Sequence, residues 1–322
     1  MKRLIWIIPS LLIIILITFS LYIKLALPKV GKAPSINVEL TPKRIERGKY
    51  LANSVMSCVD CHSLRDFTKY PAPLTGTPFG GGGEEFTEEK GAPGNFYAPN
   101  LTPFHLASWT DGEIYRAITE GVSKDGRALF PSMPYLLYGK ASTEDIYSVI
   151  AYLRTLSSFD NSVPAPQPKF PFNIIMKFIP QKAAPNKIPD KKNQVEYGKY
   201  MITIAGCIDC HTPMKKGQFV MEKAYAGNGE FIVPTGIVRS ANITPDKNTG
   251  IGNWSEAQFV HRFKNYADSS FVPEKVAPGA FNTVMPWMIY SKMKTEDIKS
   301  IFAYLQTLDP IESKIVRFTP KQ

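Results

Sequence analysis

Two five-residue stretches carry residues that could do chemistry: Cys58-Val59-Asp60-Cys61-His62 and Cys207-Ile208-Asp209-Cys210-His211. Both read C-x-x-C-H. Two thiols three positions apart can add to the two vinyl groups of one porphyrin. The next residue, His62 or His211, is then held under the ring, where its imidazole can bind iron as the proximal ligand. The competing readings need partners that are not visible. A thioredoxin-like redox pair does not require the adjacent histidine, and a structural zinc site would need a fourth ligand at close spacing. The chain has four cysteines, all in these motifs, so none remains for a structural disulfide or an axial thiolate. The motifs imply two covalently bound haem c groups on Cys58, Cys61, Cys207 and Cys210.

Each iron then needs a sixth partner or an open position. Met133 and Met285 are the candidates, 71 and 74 residues after His62 and His211 and each followed by proline and an aromatic residue. A thioether is soft and favours ferrous iron, which raises the reduction potential, and the proline can stiffen the loop. A lone methionine is more often a core filler, but these two occupy matched places. Met56, Met201 and Met214 lie too near the proximal motifs to cross a ring, and His105 and His261 do not match one another in position. The histidines read as surface or propionate-side groups.

The chain repeats itself at a spacing near 150 residues. Arg47-Gly48-Lys49-Tyr50-Leu51 matches Tyr197-Gly198-Lys199-Tyr200-Met201, and Pro99-Asn100-Leu101-Thr102-Pro103 matches Ala241-Asn242-Ile243-Thr244-Pro245. Ser132-Met133-Pro134-Tyr135 matches Val284-Met285-Pro286-Trp287, and Thr143-Glu144-Asp145-Ile146 matches Thr295-Glu296-Asp297-Ile298. The constant order marks a tandem duplication. Each copy predicts a first helix, near Pro42 to Ser57 and Gln194 to Ala205. A middle helix opens on a capping box, Thr110-Asp111-Gly112-Glu113 or Ser255-Glu256-Ala257-Gln258. A last helix starts at Thr143 or Thr295, with apolar residues at i, i+3, i+4 and i+7. No convincing alternating strands are visible. Between the copies, residues 159–192 hold seven prolines and read as an extended linker, within which the apolar piece Phe170 to Ile179 is expected to pack against a domain.

Leu4 to Ile23 carries no charge and is long enough to span a bilayer, whereas a signal-peptide core is usually shorter. It reads as an uncleaved anchor with a cytoplasmic N-terminus marked by Lys2 and Arg3. The formal charge is +10, of which residues 1–27 contribute three positive groups, leaving +7 for the remainder. Four haem propionates would reduce that further. No basic patch or nucleic-acid motif accompanies the charge, so nucleic-acid binding is not indicated.

The two C-x-x-C-H motifs, the late Met-Pro pairs and the Gly-x-Tyr of each first helix resemble the class I c-type cytochromes, here as a tandem dihaem protein over residues 41–158 and 194–309. The Asn-Leu-Thr-Pro and Asn-Ile-Thr-Pro loops are similar to those of cytochrome subunits of periplasmic alcohol, gluconate and aldehyde dehydrogenases. The resemblance implies an all-α fold with two tandem cytochrome c-like domains and long loops, preceded by one N-terminal transmembrane helix. The expected division is an anchor (1–27), a linker (28–40), domain 1 (41–158), a Pro-rich linker (159–193), domain 2 (194–310) and a tail (311–322). It implies His62 with Met133 and His211 with Met285 as axial pairs, Gly48 and Tyr50 meeting the region of Tyr152, and Gly198 and Tyr200 meeting that of Tyr304. Arg127, before the first Met loop, is a candidate propionate partner. The implied role is single-electron transfer on the periplasmic side of the inner membrane. Such a protein is a free carrier or a subunit beside a dehydrogenase upstream and an oxidase or soluble carrier downstream. The rival is a dihaem oxidoreductase, peroxidase-like or thiosulfate dehydrogenase-like, with one open haem. The near-equivalence of the two Met loops argues against it.

Overall fold

The computed structural model describes residues 2–75 and 79–321. The first element, helix Lys2–Leu25, stands exposed. Its Trp6–Leu25 stretch has a mean hydropathy of 2.4 over 20 residues, enough to cross a bilayer; such a helix is a membrane anchor or a signal peptide. The Lys2 and Arg3 side chains, on which its orientation rests, lie outside the described residues.

The rest of the chain is mostly helical and carries the same order of elements twice. In the first half, helix Pro42–Tyr50 continues through a wider turn at Leu51–Val55, followed by the short helical turn Cys58–Cys61. Helices Asp111–Glu120 and Thr143–Arg154 complete it. The second half has Gln194–Ile204, the turn Cys207–His211, Glu256–Lys264 and Thr295–Leu305. Both capping boxes form: Glu113 N donates to Thr110 Oγ1 at 3.2 Å while Thr110 N donates to Glu113 Oε2 at 2.8 Å, and Ser255 and Gln258 repeat the exchange.

The first and last helices of each half cross at a glycine. A Cβ on Gly48 would lie 1.8 Å from the Ser148 carbonyl oxygen, and one on Gly198 would lie 1.8 Å from that of Ser300. Only the missing side chain permits this approach. Around the crossing, Leu51, Ile146, Val149, Ile150, Ile202, Ile204, Ile298 and Leu305 are buried in one continuous apolar core that spans both halves.

Tyr50 and Tyr200 depart from the expected placement. Neither hydroxyl bonds within its own half. The Tyr50 hydroxyl donates to Asp297 Oδ2 at 2.5 Å and accepts from Lys294 N at 3.0 Å. The Tyr200 hydroxyl donates to Asp145 Oδ2 at 2.6 Å and accepts from Ser142 N at 3.0 Å. Each tyrosine therefore caps the start of the other half's last helix, in a reciprocal exchange that sequence spacing could not reveal. The two aspartates differ in their remaining partners. Asp145 is held by both Arg47 Nε and Nη2 at 2.9 Å, whereas Asp297 has Lys191 at 4.0 Å.

Short strands add to the helices. Glu230–Val233 pairs with Gly236–Arg239, which pairs with Phe318–Pro320 near the C-terminus. Glu85–Phe86 pairs with Gly94–Tyr97, which pairs with Gln167–Pro168. Runs of two to four residues are too short for alternation to register as a pattern. The apolar piece Phe170 to Ile179 packs in part: Met176 is buried with Phe96 and Ala128, and Phe172 sits edge-on to Phe96 and Phe130, while Phe170, Ile175 and Phe178 are exposed.

Gly48→Ala and Gly198→Ala should each lower stability by about 1–3 kcal/mol through overpacking, read as a lower denaturant midpoint by circular dichroism. Tyr50→Phe should cost on the order of 1–3 kcal/mol, because it strips a buried carboxylate of its nearest donor. Tyr200→Phe should cost less, since Arg47 still holds Asp145; equal losses would contradict this reading.

Candidate haem sites

Each C-x-x-C-H turn begins at a left-handed residue, Ser57 with φ 53° or Gly206 with φ 70°. The glycine adopts this backbone freely, whereas the serine pays roughly 1 kcal/mol for it. The left-handed residue reverses the chain after the first helix and starts the Cys turn. Cys58 and Cys207 are half-buried and pack against the core, while Cys61 and Cys210 are exposed and none of the four is in a disulfide.

Both histidines are buried. His62 Nδ1 lies 2.7 Å from the Pro99 carbonyl oxygen, and His211 Nδ1 lies 2.7 Å from that of Ala241. A carbonyl can only accept, so each Nδ1 carries the proton and each Nε2 presents a lone pair. Burial pulls His62 down from its ordinary range and His211 down to about 4, which favours the neutral form of both imidazoles. A neutral imidazole with its second nitrogen anchored is what an iron ligand requires. These residues fit a proximal haem ligand.

The orienting carbonyls belong to the repeated Pro-Asn-Leu-Thr-Pro and Ala-Asn-Ile-Thr-Pro loops, whose purpose sequence reasoning did not identify. Asn100 Oδ1 accepts from Thr102 N and Oγ1 at 2.8 and 2.7 Å, and Asn242 Oδ1 does the same with Thr244 at 2.9 and 2.7 Å. This is an Asx turn. The amide nitrogens reach outward: Asn100 Nδ2 donates to the Phe159 carbonyl at 2.8 Å, and Asn242 Nδ2 to that of Ile311 at 2.7 Å. The segments that follow the two last helices thus return to brace the carbonyl that orients each imidazole. The matched repeat was the available signal.

A second matched pair ties the methionine segments to the Cys turns. Tyr138, five residues after Met133, donates to the Met56 carbonyl at 2.5 Å, two residues before Cys58. Tyr290, five residues after Met285, donates to the Ala205 carbonyl at 2.6 Å, two residues before Cys207. Met133 and Met285 are half-buried and pack against the core. Both tyrosines are visible in the sequence as matched residues at the same distance from each methionine. Of the other candidates, His105 lies near Trp109, with rings 5.7 Å apart, and His261 is exposed on helix Glu256–Lys264. Arg127 is exposed and 3.9 Å from Asp125.

Asn100→Ala and Asn242→Ala should each leave a buried Thr amide without its acceptor and cost about 1–3 kcal/mol. The check is a denaturant unfolding curve for each variant; wild-type midpoints would show that the Asx turns do not matter.

No protein-family model matches the chain. It is 27% identical over 284 residues to the cytochrome c subunit of alcohol dehydrogenase (quinone) from Gluconacetobacter polyoxogenes, covering 83% of this chain and 56% of that one. It is 27% identical over 296 residues to the gluconate 2-dehydrogenase cytochrome c subunit of Pantoea cypripedii, covering 85% and 62%. It is 28% identical over 272 residues to the "Diheme cytochrome c-type" protein of Cereibacter sphaeroides, covering 79% and 83%. The chain therefore spans little more than half the length of the dehydrogenase subunits it matches. At modest identity over most of its length, it is a relative of the cytochrome c subunits of dehydrogenases and is consistent with a dihaem cytochrome c.

Proposed function

We propose that this chain is an electron-transfer subunit built from two tandem cytochrome c-like domains, residues 41–158 and 194–310. We infer that helix Lys2–Leu25 anchors it in the inner membrane, with both domains on the periplasmic side. Cys58 and Cys61 hold one haem c and Cys207 and Cys210 the other. His62 and Met133 would ligate the first iron, His211 and Met285 the second. The observation that carries the reading is the doubled restraint at each motif: an imidazole fixed through Nδ1, and a tyrosine binding the methionine segment to the backbone just before the Cys turn.

Bound there, haem c supplies an iron couple that takes up and releases one electron at a time. The chain's own residues do the rest. The Pro99 and Ala241 carbonyls hold the imidazole protons in place. The apolar core, against which Cys58, Cys207, Met133 and Met285 pack, would limit water around a bound haem, and a stiff Met-Pro segment would limit rearrangement between redox states. The relatives are named as dehydrogenase cytochrome subunits, which supports a dehydrogenase as the electron donor; an oxidase or soluble carrier would accept.

The test is carbon monoxide titration of the fully reduced, haem-loaded chain in detergent. With both irons closed by methionine, neither spectrum changes, and Met133→Ala or Met285→Ala each opens one haem. A haem that binds carbon monoxide readily in the unmodified protein would overturn the ligand pair in that half and favour an oxidoreductase with one open site.

A further inference from the structure

The two methionine loops are matched in sequence but are not held alike. The loop before Met133 is secured within its own half. Leu129 N donates to the Gly121 carbonyl at 2.8 Å, and Phe130 stacks on Phe96 at 3.9 Å. The loop before Met285 is held by the other half, through the segment that follows the first C-x-x-C-H motif. Lys69–Tyr70 pairs antiparallel with Glu274–Lys275. The buried Asn282 donates Nδ2 to the Phe67 and Lys69 carbonyls at 2.9 and 3.2 Å. Arg65 Nη1 donates to the Val284 carbonyl at 3.2 Å, on the residue next to Met285.

Arg65 is the centre of this clamp. Its side chain is 7% exposed. Nε donates to the Ala72 carbonyl at 3.2 Å, and Nη1 also meets Asp60 Oδ2 at 3.1 Å, inside the first Cys turn. The planar guanidinium thus joins the first haem-attachment turn to the backbone beside Met285. Nη2 is buried and, among the described residues, has no partner. A buried ion pair with an unsatisfied donor is a poor source of stability, but a rigid fork bonded on two sides is a good positioning device.

We propose that Arg65 is a positioning residue for the second axial methionine, so that the first half of the chain sets the ligand geometry of the second. This rests on Met285 being an axial ligand. Its consequence is that a change at the first Cys turn is felt at the second iron, while the Met133 loop stays independent of the second half's equivalent segment. In that segment, Met214–Lys215 and Gln218–Phe219 form an exposed hairpin of their own.

The test uses the full haem-loaded chain in detergent. In the ferrous state, the methyl group of an axial methionine gives a proton resonance shifted far upfield by the ring current, and Met133→Ala and Met285→Ala assign the two signals. Arg65→Met should shift or broaden the Met285 signal and make that haem about tenfold more reactive to carbon monoxide, the effect of losing one good buried hydrogen bond. The Met133 signal should remain. Arg65→Lys keeps the charge but not the fork and should fall between. If Arg65→Met does not mature, Arg65→Lys and Asn282→Ala give the same readout, since each loosens the clamp. An unchanged Met285 signal in these variants overturns the role of Arg65 while leaving the ligand pair intact. If Met285→Ala removes no signal, the ligand reading itself fails, and this inference with it.

Discussion

The close crossing of the first and last helices at Gly48 and Gly198 is the constraint on which the rest depends. With the Ser148 and Ser300 carbonyls where a Cβ would sit, the two helix axes are pinned, and so are the groups carried on their ends. One end of each first helix leads through a left-handed residue into the Cys turn. The start of each last helix presents Asp145 or Asp297. A side chain at either glycine would separate the helices and move the Cys turn relative to the loop that orients its histidine. That loop is braced by segments following the last helix, at Phe159 and Ile311.

The crossing also explains why the halves share one core. Each first helix offers a tyrosine two residues after its glycine, and the hydroxyl crosses to the aspartate that opens the other last helix. The exchange is reciprocal, so it fixes both the separation and the relative rotation of the two halves. It gives each tyrosine hydroxyl a carboxylate oxygen and each buried aspartate a donor, although Asp297 Oδ1 has no hydrogen-bond partner among the described residues. The apolar residues packed behind it then belong to a single cluster. A duplicated unit joined by a free linker would have no such cluster; here the segment between the halves also contributes a strand and a buried methionine to the first half.

Local signals in the sequence anticipated much of this. Capping boxes and the i, i+3, i+4, i+7 faces follow from patterns within a dozen residues, and the boxes formed at Thr110 and Ser255; the glycine crossings, implied by the family resemblance, formed at Gly48 and Gly198. The C-x-x-C-H motifs pointed to haem attachment. Long-range partners were less legible. The destination of Tyr50 lies 247 residues away, and a tyrosine's spacing does not state which carboxylate it will meet. The Asn loops and the tyrosines after each methionine were visible as repeats but had no assigned purpose, because orienting an imidazole is done by a backbone carbonyl, which leaves no residue-type signature. The short strands escaped for lack of length.

Duplication gives two sites the same residues, but it cannot give them the same neighbours. Where the halves meet, the Tyr–Asp exchange is reciprocal, but the residues around it differ. Asp145 has the Arg47 fork, whereas the residue matching Arg47 in the second half is Tyr197, and Asp297 relies on Tyr50 and a more distant lysine. The loop before Met133 packs on aromatic residues of its own half, whereas the one before Met285 leans on Arg65 and the strand at Lys69–Tyr70. Sequence equivalence of the methionine loops therefore does not carry over to equivalence of their environments. If both methionines serve as the proposed ligands, their different outer partners would make them differ in how firmly they are held, because outer contacts set the orientation and freedom of inner ones. In the proposed electron-transfer role, such a difference in outer contacts would let packing, rather than a change of ligand, distinguish the two centres.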